Sequence, residues 1–292
     1  MKLSRVRGMW PLRERVVVVT GASSGIGRAT ALAAARAGAQ VVISARREHR
    51  LQELAAEIRR LGAHAHVFPL DFSDHAAATY LVEATVVRLN RIDVLVNNAG
   101  YGLYARIEDA HPDDNERLFA VNVLSPLAAM RAAIAHMRKQ REGHIVNVAS
   151  LAAAWGTPQM GAYAATKAAL IRATEAARVE LRGSGVRASV VSPGPVRTEF
   201  LQAAEIRGNE LLWFAGRYGP FAVTPEYVAQ VILRCVRTGA ADVTIPWYGR
   251  LAFALAPAAP GLTDRVIGLV VQLRRGGRRL DAREDRLRPL HP

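Results

Sequence analysis

Val16-Val17-Val18-Val19-Thr20-Gly21-Ala22-Ser23-Ser24-Gly25-Ile26-Gly27 is the stretch from which the fold is read. A β-branched run bounded by glycine predicts a strand buried on both faces of a parallel sheet. Residues 28–37, rich in helix formers, follow directly, so the order is strand, glycine turn, helix. That order leaves backbone amides at a helix N-terminus, where a pyrophosphate fits. Side chains at the glycines would block both the tight turn and the approach of the phosphate. The spacing is G-x-x-x-G-x-G rather than G-x-G-x-x-G, and its place between strand and helix is the supporting context. Gly21, Ser23, Ser24, Gly25, Ile26 and Gly27 are therefore candidate cofactor-binding residues.

Outward from this stretch, a second strand over 40–45 ends in Ser44-Ala45-Arg46-Arg47. In a dinucleotide fold the residue at this strand end meets the adenosine ribose, and NAD sites place a carboxylate there. No carboxylate occurs before Glu48, and a guanidinium matches a phosphate in charge and geometry. Arg46, helped by Arg47 and Ser23, thus points to the 2′-phosphate of NADP; the bland alternative is two solvated arginines opening a helix. Helix 48–61 carries Leu51, Leu54, Ala55, Ile58 and Leu61 at core-facing spacing. A third strand, 64–70, leads to Asp71-Phe72, where an adenine contact is expected. Helix 75–90 and strand 92–96 lead to Asn97-Asn98-Ala99-Gly100, small residues that would leave a cofactor room, although Asn and Gly also make ordinary turns.

Segment 113–139 reads as one long helix with Asn122 inside it, where asparagine costs helix propensity. Strand 144–148 ends at Ala149-Ser150, and strand 186–191 leaves through Ser192-Pro193-Gly194-Pro195-Val196-Arg197-Thr198. Ligands of open parallel sheets bind outside the carboxyl ends of strands, so Ser150 points into the expected crevice. The rigid loop at Pro193, Gly194 and Val196 can offer backbone groups to an amide ring, and Thr198 a hydroxyl to a phosphate. With a last strand at 242–246, the alternation over 16–246 indicates an α/β fold: a doubly wound, Rossmann-type parallel sheet of about seven strands.

Tyr163 and Lys167, in Gly161-Ala162-Tyr163-Ala164-Ala165-Thr166-Lys167, stand four residues apart on one face of an Ala-rich helix. A phenol titrates near 10, and a neighbouring ammonium favours the phenolate. At an effective dielectric of about 20, a charge pair ~4 Å apart gains roughly 4 kcal/mol, about three pKa units. That brings a tyrosine into the range of an acid/base catalyst. A surface Tyr and Lys is the bland reading of the spacing by itself.

The chain has 292 residues, half of them hydrophobic, and no internal repeat. It carries 39 basic against 25 acidic residues, a net charge of +14, with only Lys2, Lys139 and Lys167 as lysines. Arginines gather near both ends, notably Arg274, Arg275, Arg278, Arg279, Arg283, Arg286 and Arg288. Aromatic-basic motifs of nucleic-acid modules are missing, which argues against that partner. The single Cys235 cannot form an intrachain disulfide, and no zinc or iron–sulfur spacing exists, so no metal is expected. Residues 1–15 lack the apolar core of a signal peptide, and a cytoplasmic location is the default expectation.

Thr20-Gly21-x-x-x-Gly25-x-Gly27, Asn97-Asn98-Ala99-Gly100, Asn122, Ser150, Tyr163-x-x-x-Lys167 and Pro193-Gly194 occur in the order of the short-chain dehydrogenases/reductases, and the chain resembles that family over residues 14–246. The resemblance implies a catalytic set of Asn122, Ser150, Tyr163 and Lys167. Tyr163 would exchange a proton with a carbonyl or alcohol oxygen while hydride moves to or from the nicotinamide. Ser150 would polarise the same oxygen, and Lys167 would hold the nicotinamide ribose and lower the Tyr163 pKa, helped by the oxidised ring. Asn122 would hold a proton-relay water, and Asn98, Ala99 and Gly100 would line the cofactor. The expected function is an NADP(H)-dependent carbonyl/alcohol oxidoreductase; a non-enzymatic nucleotide-sensing scaffold and a membrane-surface binding protein are the alternatives.

Residues 1–246 are expected to form one cofactor-binding and catalytic domain, with a substrate-loop insert at 199–222. Leu103, Tyr104, Trp155, Met160, Phe200, Leu201, Leu211, Leu212, Trp213, Phe214, Tyr218 and Phe221 are candidate substrate contacts and suggest a hydrophobic substrate, with core packing as the alternative. Many tetrameric relatives end in a strand and a glycine-rich tail. Here 247–292 continues as an extension, an apolar helix and then an Arg-rich tail, which puts the usual tetramer in doubt. Three uses of 251–288 compete: packing on the protein's own rim, a homodimer contact, and shallow membrane association. Neither apolar run in it reaches the ~18–20 residues needed to span a bilayer.

Overall fold

In the computed structural model, which describes residues 10–207 and 222–272, the valine run is strand β1 (Val16–Thr20), buried along its whole length. Helix α1 (Gly25–Arg36) begins inside the glycine motif rather than after it. Then follow β2 (Gln40–Ala45), α2 (Glu48–Arg60), β3 (Ala65–Pro69), α3 (His75–Leu89) and β4 (Val94–Asn97). A two-residue strand β5 (Leu103–Tyr104) precedes α4 (Pro112–Phe119) and α5 (Ser125–Gln140). The segment expected as one helix is thus two, joined by a π-helical turn over Ala120–Leu124 that holds Asn122. Beyond them lie β6 (Gly143–Val148), α6 (Gly161–Glu180), β7 (Val186–Pro193), a second two-residue strand β8 (Glu205–Ile206), α7 (Pro225–Thr238), β9 (Asp242–Ile245) and α8 (Gly249–Ala258). Residues 260–272 are again helical.

The main sheet has seven strands in the order β3-β2-β1-β4-β6-β7-β9, and every pairing is parallel. The chain winds outward from β1 to β3, then returns to place β4 on the other side of β1, so the topological switch lies between β1 and β4. Side chains alternate across the sheet as the pleat requires. Val17 and Val19 join Val41, Ile43 and Val96 in a core closed by Leu32, Leu54 and Ile232 from α1, α2 and α7. Val16 and Val18 join Val42, Leu95 and Ile145 on the opposite face, against Leu81, Met130 and Ala177 from α3, α5 and α6. Burial of one such valine or leucine contributes about 1.5–3 kcal/mol, which explains why the strands read as unbroken apolar runs.

The stretch Pro112–Gln140 is long and apolar enough for a membrane span, but its apolar residues Leu118, Met130, Ala133 and Met137 are core residues. At the end of the sheet away from the glycine turn, fully buried Asp93 accepts from Val16 N at 2.9 Å and pairs with Arg15 at 2.9 Å and Arg91 at 2.7 Å. These groups hold its carboxyl below the usual range against the effect of burial, so the charge fastens β1 to the start of β4.

Candidate active site

The glycine turn and the exit of β4 meet at the switch point, where open α/β sheets bind ligands. Thr20 Oγ1 accepts from the amides of Asn98 and Ala99, each at 3.0 Å. The Asn98 side chain donates to the carbonyls of Thr20 at 3.0 Å and Gly21 at 3.2 Å. Asn98 therefore ties the two loops together. A Cβ on Gly27 would stand 2.3 Å from the Gly21 carbonyl oxygen, so only glycine lets the helix start this close to the strand. Gly25 has φ +53°, and a Cβ there would meet Thr198 Cγ2 at 3.0 Å. Ser24, the N-cap of α1, makes no side-chain capping bond, so the first-turn amides are free of that competitor.

Arginine chemistry at the end of β2 falls on two residues. Arg47, more than the exposed Arg46, engages the glycine turn: its Nη2 donates to Ser24 Oγ at 2.8 Å and Ser23 Oγ at 3.1 Å. Its Nη1 pairs with Glu199 at 3.1 Å, and Glu199 also takes two 2.7 Å bonds from Arg50. Burial above all pushes the Tyr101 hydroxyl up to about 12, and the Arg46 charge acts only weakly in the opposite direction. Asp71, exposed, caps its own turn by accepting from Ser73 N at 2.9 Å, and Phe72 is buried in the core. Pro193 pairs with Ile245 in the sheet, and Gly194 N donates to the Ile245 carbonyl at 2.6 Å, fixing the loop that carries Val196 and Thr198. The uncapped helix start, the glycine cradle and the arginines with Ser23 and Ser24 together fit the phosphate groups of a dinucleotide.

Beside this cradle the sheet brings Asn122, Ser150, Tyr163 and Lys167 into one cluster. Ser150 caps a 3₁₀ turn over Leu151–Ala154, its Oγ accepting from Ala152 N at 3.1 Å, which leaves its proton to donate to the Tyr163 hydroxyl. Tyr163, 6% exposed, has its pKa pushed up to about 12 by burial, with the Ser150 bond acting in the opposite direction. This differs from the expected lowering: the Lys167 ammonium stands 5.8 Å from the Tyr163 ring centroid and donates to the Val148 carbonyl at 3.1 Å. Burial brings Lys167 down to about 8. A Cβ on Gly100 would lie 3.3 Å from Lys167 Nζ and 3.0 Å from Asn122 Oδ1, so the glycine keeps this corner open.

Asn122 is fully buried, and both its amide hydrogens are engaged. Its Oδ1 accepts from Tyr101 N at 3.1 Å, and its Nδ2 donates to the Tyr101 carbonyl and to Thr166 Oγ1, each at 3.1 Å. The π-helical turn positions it, as such bulges often do at sites. Thr166 and Tyr101 escaped the sequence reading, because a threonine inside a helix and a tyrosine after a turn carry no motif. Glu199 escaped it too; only the fold brings residue 199 to residue 47. A buried chain from Asn97 Nδ2 to Asn147 Oδ1 (2.8 Å) and from Asn147 Nδ2 to Thr174 Oγ1 (2.7 Å) backs the cluster, and it too went unread.

Apolar groups close over the tyrosine. Leu103, Ala105 and Leu118 are buried with it, Met160 and Phe200 pack against them, and the Phe200 ring lies 5.7 Å from the Tyr163 ring. Tyr104 is buried at 3% exposure, and Trp155 and Leu201 are half-buried. Leu211, Leu212, Trp213, Phe214, Tyr218 and Phe221 lie outside the described residues. Segment 199–207 is fastened by the β5–β8 pairing and by Arg207, which donates twice to Asp114 at 2.7 Å.

A family model described as short chain dehydrogenase matches residues 15–207. A short chain dehydrogenase of Pseudocercospora fijiensis is 38% identical over 191 residues, 64% of this chain and 62% of that one, so the chain spans less than two thirds of that relative. A cyclopentanol dehydrogenase of a Comamonas species is 35% identical over 243 residues, 80% of this chain and 94% of that one. Among solved structures, a short chain dehydrogenase/reductase of Burkholderia phymatum in complex with NAD is similar with a TM-score of 0.79 at 27% identity, covering 87% of this chain and 97% of that one. A metagenomic short-chain oxidoreductase in complex with NADP gives 0.68 at 30% identity, covering 81% and 97%.

Proposed function

The chain belongs to the short-chain dehydrogenase/reductase family, an oxidoreductase family, and we propose that it interconverts a carbonyl and a secondary alcohol on a hydrophobic substrate with NADP(H). The observation that carries this reading is the buried Tyr163 hydroxyl beside Ser150, with the Lys167 ammonium over its ring. The Comamonas relative, named for an alcohol substrate, supports the reaction class.

The nicotinamide, when bound, supplies the hydride chemistry. The chain does the rest. With substrate bound, Ser150 turns its one proton from the Tyr163 hydroxyl to the carbonyl oxygen and fixes its position, since its acceptor side is held by Ala152 N. Tyr163 delivers its proton to the same oxygen. A developing alkoxide is far more basic than a phenolate, so even a phenol raised by burial gives its proton downhill. Lys167, charged below about pH 8, stabilises the phenolate left behind and would hold the nicotinamide ribose. Both amide hydrogens of Asn122 are committed, so a relay water there is held by the second Oδ1 lone pair or the main-chain carbonyl of the π turn. Leu103, Leu118, Met160 and Phe200 exclude water from the reacting oxygen and favour an apolar substrate.

NADP is favoured over NAD by the pair Arg46 and Arg47, by the serines that Arg47 binds, and by the absence of a carboxylate at the end of β2. A structural relative with NADP and another with NAD are both similar to this chain, so its own residues carry the preference. Measured Kd values for NADPH and NADH test it: Arg47→Ala should weaken NADPH about tenfold or more and NADH little. An unchanged ratio in an Arg46→Ala/Arg47→Ala variant removes the arginines from the assignment.

A further inference from the structure

Residues 249–272 form helix α8 and the helical run 260–272, and they carry only three charged side chains, Arg250, Asp264 and Arg265. Phe253 packs inward against Ala149, Ile171 and Val190. The large apolar residues around it mostly face out: Leu251 is 58% exposed, Leu255 62%, Leu262 64%, Val266 52%, Leu269 56% and Val270 38%. Positions 251 and 255 lie one turn apart, and 262, 266, 269 and 270 share one helix face, so these are stripes rather than scattered side chains. Trp247, 76% exposed, and Tyr248, 41% exposed, stand at the base. Clustered exposed apolar groups of this kind mark an interaction surface.

We propose that this face is an interfacial anchor for an anionic lipid surface. Charge identifies the partner. The chain carries +14 overall, and the sequence directly after the helical run, 273–292, contains seven arginines against three acids, Asp281, Glu284 and Asp285. An apolar helix face followed by arginines matches a bilayer whose acyl boundary takes leucines and whose headgroups are anionic, with aromatic side chains at the interface. A second copy of this chain would bring the same positive charge against itself, which disfavours the homodimer reading.

The anchor is mechanically joined to the catalytic rim. Gly249, at the start of α8, sits so close to the turn leaving Ser150 that a Cβ would meet Leu151 Cδ1 at 3.0 Å. Attachment through α8 therefore brings the bilayer to the protein at the element next to Ser150, and a membrane-dissolved ketone or alcohol has a short route to the site. This last step rests on the proposed oxidoreductase function; lipid binding itself does not.

Full-length protein sedimented with vesicles tests the anchor. Vesicles in which about a third of the lipid is phosphatidylglycerol and the rest phosphatidylcholine should retain it at least tenfold better than phosphatidylcholine alone, and raised salt should weaken retention. The triple variant L255E/L262E/L269E, all at exposed positions, should lose about tenfold or more in partitioning with an unchanged melting temperature. No retention on the anionic vesicles overturns the proposal, as does equal retention of the variant. So does a wild-type dimer in sedimentation velocity that the variant abolishes without any vesicle binding, since the face would then belong to a second copy. NADPH-dependent turnover of a water-soluble ketone by the same variant is expected to match wild type; absence of all turnover in wild type would count against the oxidoreductase reading and leave the anchor standing on its vesicle result.

Discussion

Arg47 and Glu199 form an ion pair of 3.1 Å that joins the end of β2 to the loop leaving β7, with Arg47 at the same time bound to Ser23 and Ser24 of the glycine turn. The guanidinium that would receive a 2′-phosphate thus already faces a carboxylate. Arg50 and, next, Arg47 hold the Glu199 carboxyl below its usual range, so it is charged throughout the neutral region.

Competition between that carboxylate and a phosphate has a measurable consequence. Glu199→Gln should tighten NADPH and leave NADH nearly unchanged. Both partners are more than a third exposed, so the gain is limited to about two- to fivefold. Direct binding titrations with the two cofactors check it; weaker NADPH binding would mean that Glu199 positions Arg47 instead of opposing it.

Thr166 is the buried acceptor that completes the Asn122 amide. Thr166→Val should cost about 1–3 kcal/mol of stability, because it leaves an Nδ2 hydrogen unpaired in the core. Denaturant melts of Thr166→Val and Thr166→Ser compare the loss with its conservative rescue, and the kcat of the valine variant reports whether the loosened Asn122 disturbs the Lys167 corner.

Gly27 permits the tightest approach in the cofactor cradle. Gly27→Ala forces a methyl toward the Gly21 carbonyl and should reduce NADPH affinity by about tenfold or more, as the turn must open. Fluorescence titration of NADPH is the measurement, with far-UV circular dichroism reporting that the fold is retained.

His144 gives the chain an acid-labile point far from the crevice. Its Nε2 lies 2.7 Å from Ser189 Oγ, and Ser189 donates to the Ala240 carbonyl at 2.6 Å, so the histidine is the donor of the pair. Burial lowers its pKa to about 4, against 6.5 in the ordinary case. The unfolded chain then binds more protons between these values, so stability is fully present above pH 6.5 and is lost as pH falls toward 4. The loss is at most about 3 kcal/mol. His144→Gln should show a shallower decline over that window in urea melts; parallel curves would remove His144 from the acid response.

The fold was legible where chemistry repeats along the chain. Unbroken valines announced the buried strands, and the glycines at 21, 25 and 27 announced the turn, because steric demands there act on neighbours in sequence. Ser150, Tyr163 and Lys167 were legible as a spaced set. The split of 112–140 by a π turn was not, since Asn122 marks a weak point in the helical pattern without naming the partners, Tyr101 and Thr166, that its side chain bonds within the turn. Arg47 rather than Arg46 on the glycine turn, and Glu199 opposite it, depend on side-chain directions that two adjacent arginines do not encode. The Tyr163 pKa followed burial, a property of the whole fold, rather than the nearness of one ammonium in sequence. Leu103 and Tyr104 read equally as substrate contacts or as core, and both lie buried in a short strand, Leu103 in the cluster around Tyr163.

Tyr163 as the proton donor is the central claim, and Tyr163→Phe tests it most directly. The substitution keeps the ring against Phe200 and removes only the hydroxyl beside Ser150. Steady-state reduction of a hydrophobic ketone with NADPH should fall by about 10²–10⁴ in kcat, while the NADPH Kd stays within about twofold. Turnover close to wild type, with cofactor binding intact, would contradict the account.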